Sequence, residues 1–217
     1  MSRRLRYQVA VSLDGFIAGP KGEYDWIVMD SAIDFDVLSA EFDTLVMGRK
    51  TYEVAKAQGG DGSMPGTDVY VFSRTLPPLT RKHLRIVPED AREVVADLKK
   101  KPGRDIWLFG GGELFRSLLD AGLVDSVEVA VMPVLLGEGI PLLPPGPMTK
   151  LVLSDQKTLP KSGIVALAYT VPGGTGPAPR VSYVKTPRAK TKAKTKPKAK
   201  AKASKTGKST GKTKRRA

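Results

Sequence analysis

Thr44-Leu45-Val46-Met47-Gly48-Arg49-Lys50-Thr51-Tyr52-Glu53 joins an apolar strand to a charged helix start. Its first four residues form a short, nearly continuous apolar run, as a strand buried in a sheet does. Gly48 ends the run, and a helix is expected near Tyr52 to Lys56. At such a junction glycine lets a ligand approach the backbone. The new helix presents free amides and the positive end of its dipole. Arg49 and Lys50 add charge, and the Thr51 hydroxyl can donate to a phosphate oxygen. A second junction has the same form: strand Asp105 to Phe109, then Gly110-Gly111-Gly112, then a helix from Glu113 to Ala121 with Gly122 as its C-cap residue. A third strand, Asp68 to Phe72, ends at Ser73-Arg74. Neither glycine turn is a Walker A loop or a G-x-G-x-x-G fingerprint.

Outward from these junctions, Tyr7 to Leu13 reads as a buried first strand stopped by the turn pair Asp14-Gly15. Ile33 to Ala40 has its apolar residues on one helical face. Leu84 to Val87 is strand-like. Glu89 to Lys101 is a helix with acids early and lysines late, as the macrodipole prefers. Val124 to Met132 is a strand, residues 133–147 a loop, and 150–159 with 164–171 a closing antiparallel hairpin. Strands alternating with helices predict an α/β domain: a mostly parallel sheet with flanking helices and an antiparallel C-terminal edge. Ligands of such sheets bind beyond the carboxyl ends of strands. Three such ends here carry Gly-Arg-Lys-Thr, Ser-Arg and Gly-Gly-Gly, which predicts a phosphate-rich cofactor. Ser73-Arg74 suits a 2′-phosphate, so NADPH is expected over NADH.

The net charge of +14 is unevenly placed. Residues 185–217 hold 15 Lys or Arg and no acid, leaving 21 basic residues against all 22 acidic ones in the remainder. The body is near neutral and has no reason of its own to seek polyanions. Expected boundaries are a domain at 1–171, a Pro/Gly-rich linker at 172–184 and a disordered Lys-rich tail at 185–217. The tail resembles linker-histone C-terminal tails. It would hold nucleic acid by counterion release without base readout. A nucleoid-associated binding protein acting through this tail is therefore a rival reading. The chain has no cysteine and one histidine, His83, so no metal site is expected. No apolar run reaches the roughly 18–20 residues of a membrane span, and no secretory signal is evident. A cytoplasmic protein, with nucleoid contact through the tail, is expected.

The order of these motifs resembles the dihydrofolate-reductase-like superfamily, and most of all the reductase domain of the bacterial bifunctional riboflavin-pathway deaminase-reductase. The matching pieces are Val11-Ser12-Leu13-Asp14-Gly15-Phe16-Ile17-Ala18, Asp25-Trp26, Val46 to Glu53, Val71 to Arg74, Leu108 to Leu114, Leu119 to Asp125 and Pro133 to Gly137. They span residues 5 to about 171. The resemblance implies a stand-alone, NADPH-dependent, often homodimeric reductase. Its substrate would be 5-amino-6-(5-phosphoribosylamino)uracil or a related heterocycle, with dihydrofolate or another pteridine as the alternative. It implies that Gly48, Arg49, Lys50 and Thr51 hold the pyrophosphate and that Ser73 and Arg74 hold the 2′-phosphate. Gly110, Gly111, Gly112, Glu113 and Leu114 would pass beside the pyrophosphate and nicotinamide. Ala10 and Val11 would line the nicotinamide pocket, and Ser12, Trp26 and Asp30 the substrate. Folate reductases place an acid at the start of the first helix. Counting back from Gly48 reaches Ala32, flanked by Asp30 and Asp34. Asp14, in the Ser-Leu-Asp-Gly motif, and Asp34 are the expected catalytic acids.

Overall fold

In the computed structural model, residues 2–59 and 66–185 are described. The disorder expected of the tail falls on residues 186–217, outside the described residues. The elements are β1 (Leu5–Ser12), β2 (Phe16–Ala18), α1 (Phe35–Ala40), β3 (Phe42–Gly48), α2 (Arg49–Ala57), β4 (Asp68–Phe72), β5 (Leu79–Arg81), β6 (Leu84–Val87), α3 (Ala91–Lys100), β7 (Asp105–Gly110), α4 (Gly112–Asp120), β8 (Ser126–Met132), β9 (Ile140–Pro141), β10 (Val152–Leu159) and β11 (Ile164–Thr170).

Nine strands form one sheet in the order β10-β11-β8-β1-β7-β3-β4-β6-β5. The six from β8 to β6 run parallel to one another. The hairpin β10–β11 adds the expected antiparallel edge at β8. A second antiparallel edge is β5 on β6, whose three residues are too few to show a period in the sequence. β2 and β9 pair separately across the loop expected at 133–147.

Alternation along each strand splits the core into two layers. Tyr7, Val46 and Leu108 face α3 and α4, where they meet Val95, Phe115 and Leu118. Tyr7 stacks on Phe115 with ring centroids 3.9 Å apart. Leu45, Met47 and Trp107 face the other way, against Leu38 of α1, Tyr52 of α2 and Ala166 and Ala168 of β11. Burying each large apolar side chain contributes about 1.5–3 kcal/mol.

One charged cluster lies within the second layer. The Arg6 guanidinium, 2% exposed, pairs with Glu128, 1% exposed, through donors 2.7 and 2.8 Å from the carboxylate. Glu41 and Asp105 also meet Arg6, and the Ser126 hydroxyl donates to Glu128 at 2.8 Å. Burial opposes the Arg6 charge, but the two glutamates outweigh it and raise its pKa above the ordinary arginine value.

Residues 172–184 are not a linker. Val181, Tyr183 and Val184 are buried in the second layer. Val184 bridges to Ile33, the Asp34 N–H donates to the Tyr183 carbonyl at 2.7 Å, and the Lys185 N–H donates to the Ala32 carbonyl at 2.8 Å. The Pro/Gly-rich start of the segment turns the chain, and the short apolar end then closes over the sheet. α1 also starts two residues later than expected, because Asp34 caps it by accepting from the Val37 N–H at 3.2 Å. Among the described residues no helix is long and apolar enough to cross a membrane.

Candidate active site

The parallel strands end at one cleft of about 1340 Å³. Ligand pockets for single small molecules usually hold roughly 300–1,000 Å³, so this one has room for a dinucleotide and a second molecule. β3 and β7 are neighbours, with Met47 opposite Gly110. The two glycine junctions therefore meet. α2 begins at Gly48 and α4 at Gly111, and neither N-cap residue supplies a side-chain hydrogen bond. By contrast, α1 and α3 are capped by Asp34 and Asp90. Of the helices that line the cleft, α2 and α4 thus keep their first-turn N–H groups for a ligand.

The glycines make the space between them. A Cβ built on Gly48 would stand 3.9 Å from the Gly111 nitrogen, and one built on Gly111 would stand 3.5 Å from Thr51 Oγ1. Gly110, at φ +136°, adopts a conformation that other residues rarely reach. Thr51 Oγ1 also lies 3.7 Å from where its Cβ would be. The result is a cradle of backbone amides and one hydroxyl, with Arg49 and Lys50 on its α2 side.

The other phosphate-suited end is equally complete. Ser73, 8% exposed, accepts from the Thr75 and Leu76 N–H groups at 3.2 and 3.0 Å, which shapes the turn that carries Arg74. Arg74 and Arg92 line the cleft with Asp90. The Asp90 carboxyl is held down to about 2, chiefly by the Arg92 side chain and its backbone N–H and to a smaller degree by Arg74.

Among the expected cofactor residues, Ala10, the Gly48–Thr51 turn, Ser73, Arg74 and Gly110 to Leu114 all line the cleft. Val11 does not; it points into the α3/α4 layer. The expected catalytic and substrate residues are elsewhere. The Ser12 hydroxyl donates to Asp14 at 2.6 Å and accepts the Phe16 N–H at 2.9 Å. Asp14 accepts the Leu136 and Gly137 N–H groups at 3.1 and 2.7 Å, tying the 133–147 loop to the end of β1. Asp34 is the α1 cap. Asp30 accepts from the Ala32 N–H at 2.8 Å and the Ser162 hydroxyl at 2.6 Å. Trp26 donates to the Glu23 carbonyl at 3.1 Å and packs against the core. None of these five lines the cleft. Each polar one is consumed by backbone and hydroxyl groups of its own turn or of a loop brought against it.

The structure adds residues to the cleft instead. Gln8, Trp107, Ile27, Ile33, Leu38 and Tyr183 line the lobe beside Ala10. Among the described residues, the carboxylates lining the cleft are Glu89, Asp90 and Glu113, all next to the phosphate-suited turns. Gln8 carried a signal that went unread: an amide inside the apolar run of β1.

Comparison with known proteins agrees with this architecture. The RibD C-terminal domain family matches residues 3–165. Protein YyaP of Bacillus subtilis (strain 168), itself uncharacterized, is 35% identical over 179 residues, covering 77% of this chain and 94% of its own. The crystal structure of a putative riboflavin biosynthesis protein from Shewanella sp. PV-4 superimposes with a TM-score of 0.67 at 25% identity, over 79% of this chain and 99% of that one. Dihydrofolate reductase from Enterococcus faecalis, in a complex with NADP(H), shares the fold with a TM-score of 0.59 at 18% identity, over 79% and 99%.

Proposed function

Because the chain belongs to the RibD C-terminal domain family, we propose that it is an NADPH-dependent reductase of a small heterocycle of the riboflavin-pathway type, 5-amino-6-(5-phosphoribosylamino)uracil or a relative. One observation carries the reading: two uncapped helix N-termini, α2 and α4, meet across a glycine-walled space inside a single cleft. That space fits a pyrophosphate, which needs several N–H donors, positive potential and no side chain in the way. Gly48 to Thr51 and Gly110 to Gly112 would hold it. Arg74, beside Ser73, would pair with a 2′-phosphate through a charge-assisted hydrogen bond. When bound, the cofactor supplies a hydride.

The chain's own residues set the stage for that transfer. Ala10 is small enough to let a flat ring lie along β1. Ile27, Ile33, Leu38 and Trp107 exclude water around the acceptor. A dihydrofolate or pteridine reductase would need an acid at the start of α1, and both candidates there are engaged outside the cleft: Asp30 with Ser162 and Asp34 as the helix cap. The riboflavin-pathway reading does not depend on that acid. Titration of the full chain with NADPH, following tryptophan fluorescence, should give saturable binding well below millimolar cofactor. Absence of binding at millimolar NADPH would remove the proposal.

The tail supports a second activity that is compatible with the first. Its 15 cations without an acid would hold nucleic acid nonspecifically.

A further inference from the structure

We infer that Gln8 and Tyr183 together read the substrate, by pairing with a ring edge on which an N–H and a C=O are adjacent, as in a lactam. The inference rests on the reductase reading and assigns the residues that choose its substrate.

Alternation along β1 places Gln8 on the same face as Arg6 and Ala10, the face that carries the second core layer. Gln8 is 7% exposed and lines the cleft. Neither atom of its side-chain amide has a hydrogen-bond partner among the described residues. Leaving a buried amide unpaired costs its desolvation with nothing in return. A leucine would avoid that cost in a strand whose other residues here are Val9, Ala10 and Val11. The amide is also held in place: the Trp107 indole N–H donates to the Gln8 carbonyl at 3.0 Å and fixes the backbone from which the side chain projects.

Tyr183 lines the same lobe and is 4% exposed. Burial pushes its hydroxyl up to about 12, so it remains a neutral donor at physiological pH. The Gln8 amide works against that push, which makes the two groups neighbours even though they fall short of hydrogen-bond geometry. The segment carrying Tyr183 is fastened on both sides. The Val181 N–H donates to Asp155 at 2.9 Å before it, and the Val184 bridge and Lys185 N–H hold it after. This segment lies beyond the residues that match the family, 3–165. Half of the recognition pair is therefore supplied by a C-terminal strap outside the matched region.

The chemistry of the pair defines what it takes. A primary amide offers N–H donors and a carbonyl acceptor side by side. Its complement is an adjacent acceptor and donor, the edge of a pyrimidinone or a fused lactam. The tyrosine hydroxyl adds a third contact to the same carbonyl. The cations and carboxylates that line the cleft lie at the phosphate-suited turns, and the charges nearest Tyr183, those of Arg6, Glu128 and Glu41, are paired with one another, so this lobe suits a neutral ring. A site built around buried polar groups rejects analogues that leave those groups unpaired.

The test uses the full chain saturated with NADPH and two probes, 5,6-diaminouracil and its 1,3-dimethyl counterpart, which lacks the ring N–H donors. The native chain should bind the first about tenfold or more tightly than the second, roughly 1.4 kcal/mol per tenfold. Gln8→Leu should bring the two within about twofold. Tyr183→Phe, which removes one hydroxyl and keeps the ring, should weaken both probes several-fold and leave their ratio near the native value, because both keep the ring carbonyl. NADPH affinity should be unchanged in both variants, which shows that each is folded and that the cofactor site is separate. The inference is overturned if the native chain shows no preference, or if Gln8→Leu keeps the native ratio. Failure of the native chain to bind NADPH is a different result, and it overturns the reductase reading instead.

Discussion

The Thr51 hydroxyl stands 3.5 Å from the point that a Cβ on Gly111 would occupy. The first turn of α2 and the N-cap of α4 thus lie close together. Gly111 has φ −91°, which any residue can adopt. A methyl group there makes an ordinary contact with Thr51 but fills the cradle. Gly111→Ala should weaken NADPH binding about tenfold or more while the melting temperature changes little. Thr51→Val, which loses one charge-assisted hydrogen bond of about 1.5–3 kcal/mol, should have a comparable effect on affinity. Fluorescence titration with NADPH, beside a thermal melt, checks both.

If Arg74 holds the 2′-phosphate as proposed, it should separate the two nicotinamide cofactors. It lines the cleft beyond Ser73 and acts on the same Asp90 carboxylate that Arg92 pairs with. Arg74→Ala should reduce NADPH affinity about tenfold and leave NADH affinity nearly unchanged, so the preference collapses. The remaining NADPH binding should also depend less steeply on salt, because one exposed charge pair has been removed. Equal losses for both cofactors would place Arg74 away from the 2′-phosphate.

The strand-to-helix junctions that line the cleft were legible because their signal is local. A glycine followed by Arg, Lys and Thr marks a strand end and a helix start within a few residues, and Gly48 to Thr51 line the cleft. The partners of the aspartates were not legible for the opposite reason. An aspartate at a turn looks the same whether it faces a substrate or a backbone N–H. The partners of Asp14 at Leu136 and Gly137, and of Asp30 at Ser162, come from distant parts of the chain. The meeting of Gln8 with Tyr183 has the same long range. The strap itself was hidden by its Pro/Gly-rich start, whose composition outweighed three apolar residues.

The Arg6–Glu128 pair should behave as a buried ion pair does. Removing one partner leaves the other charged, desolvated and unpaired, at about 3–5 kcal/mol. Glu128→Leu should destabilise the chain by that order in denaturant unfolding. The double variant Arg6→Met/Glu128→Leu should recover most of the loss, since it buries no charge. A single variant that costs no more than the double one would mean that Glu41 and Asp105 alone satisfy Arg6.

Asp30 gives a pH signature away from the cleft. Its carboxyl is held below the usual aspartate value, first by the Ser162 hydroxyl and then by the Ala32 N–H. A depressed folded-state pKa means the carboxylate favours the folded chain. That contribution is complete above the unfolded value near 3.9 and is lost as pH falls through the lower folded value. Asp30→Asn should therefore melt below the native chain at neutral pH, and the gap should close as pH falls below about 4. Turnover at neutral pH should be retained, because Asp30 does not line the cleft. Melting curves across that range, with a parallel NADPH oxidation assay, separate the two effects.

The point at which the tail can be removed follows from the strap. A chain ending at Gly176 loses Val181, Tyr183 and Val184 from the core, at roughly 1.5–3 kcal/mol for each large apolar side chain. It should melt far lower than the native chain. A chain ending at Lys185 keeps all three and should match the native chain in melting temperature and NADPH affinity. It lacks 14 of the 15 tail cations, Lys185 being the first of them. Retention on duplex DNA should therefore disappear in this shortened chain while catalysis persists. For the full chain, retention should fall steeply with salt, the slope of log affinity against log salt being about −0.9 for each phosphate contacted. Salt-insensitive retention, or retention that survives removal of residues 186–217, would move nucleic-acid binding from the tail to the near-neutral body.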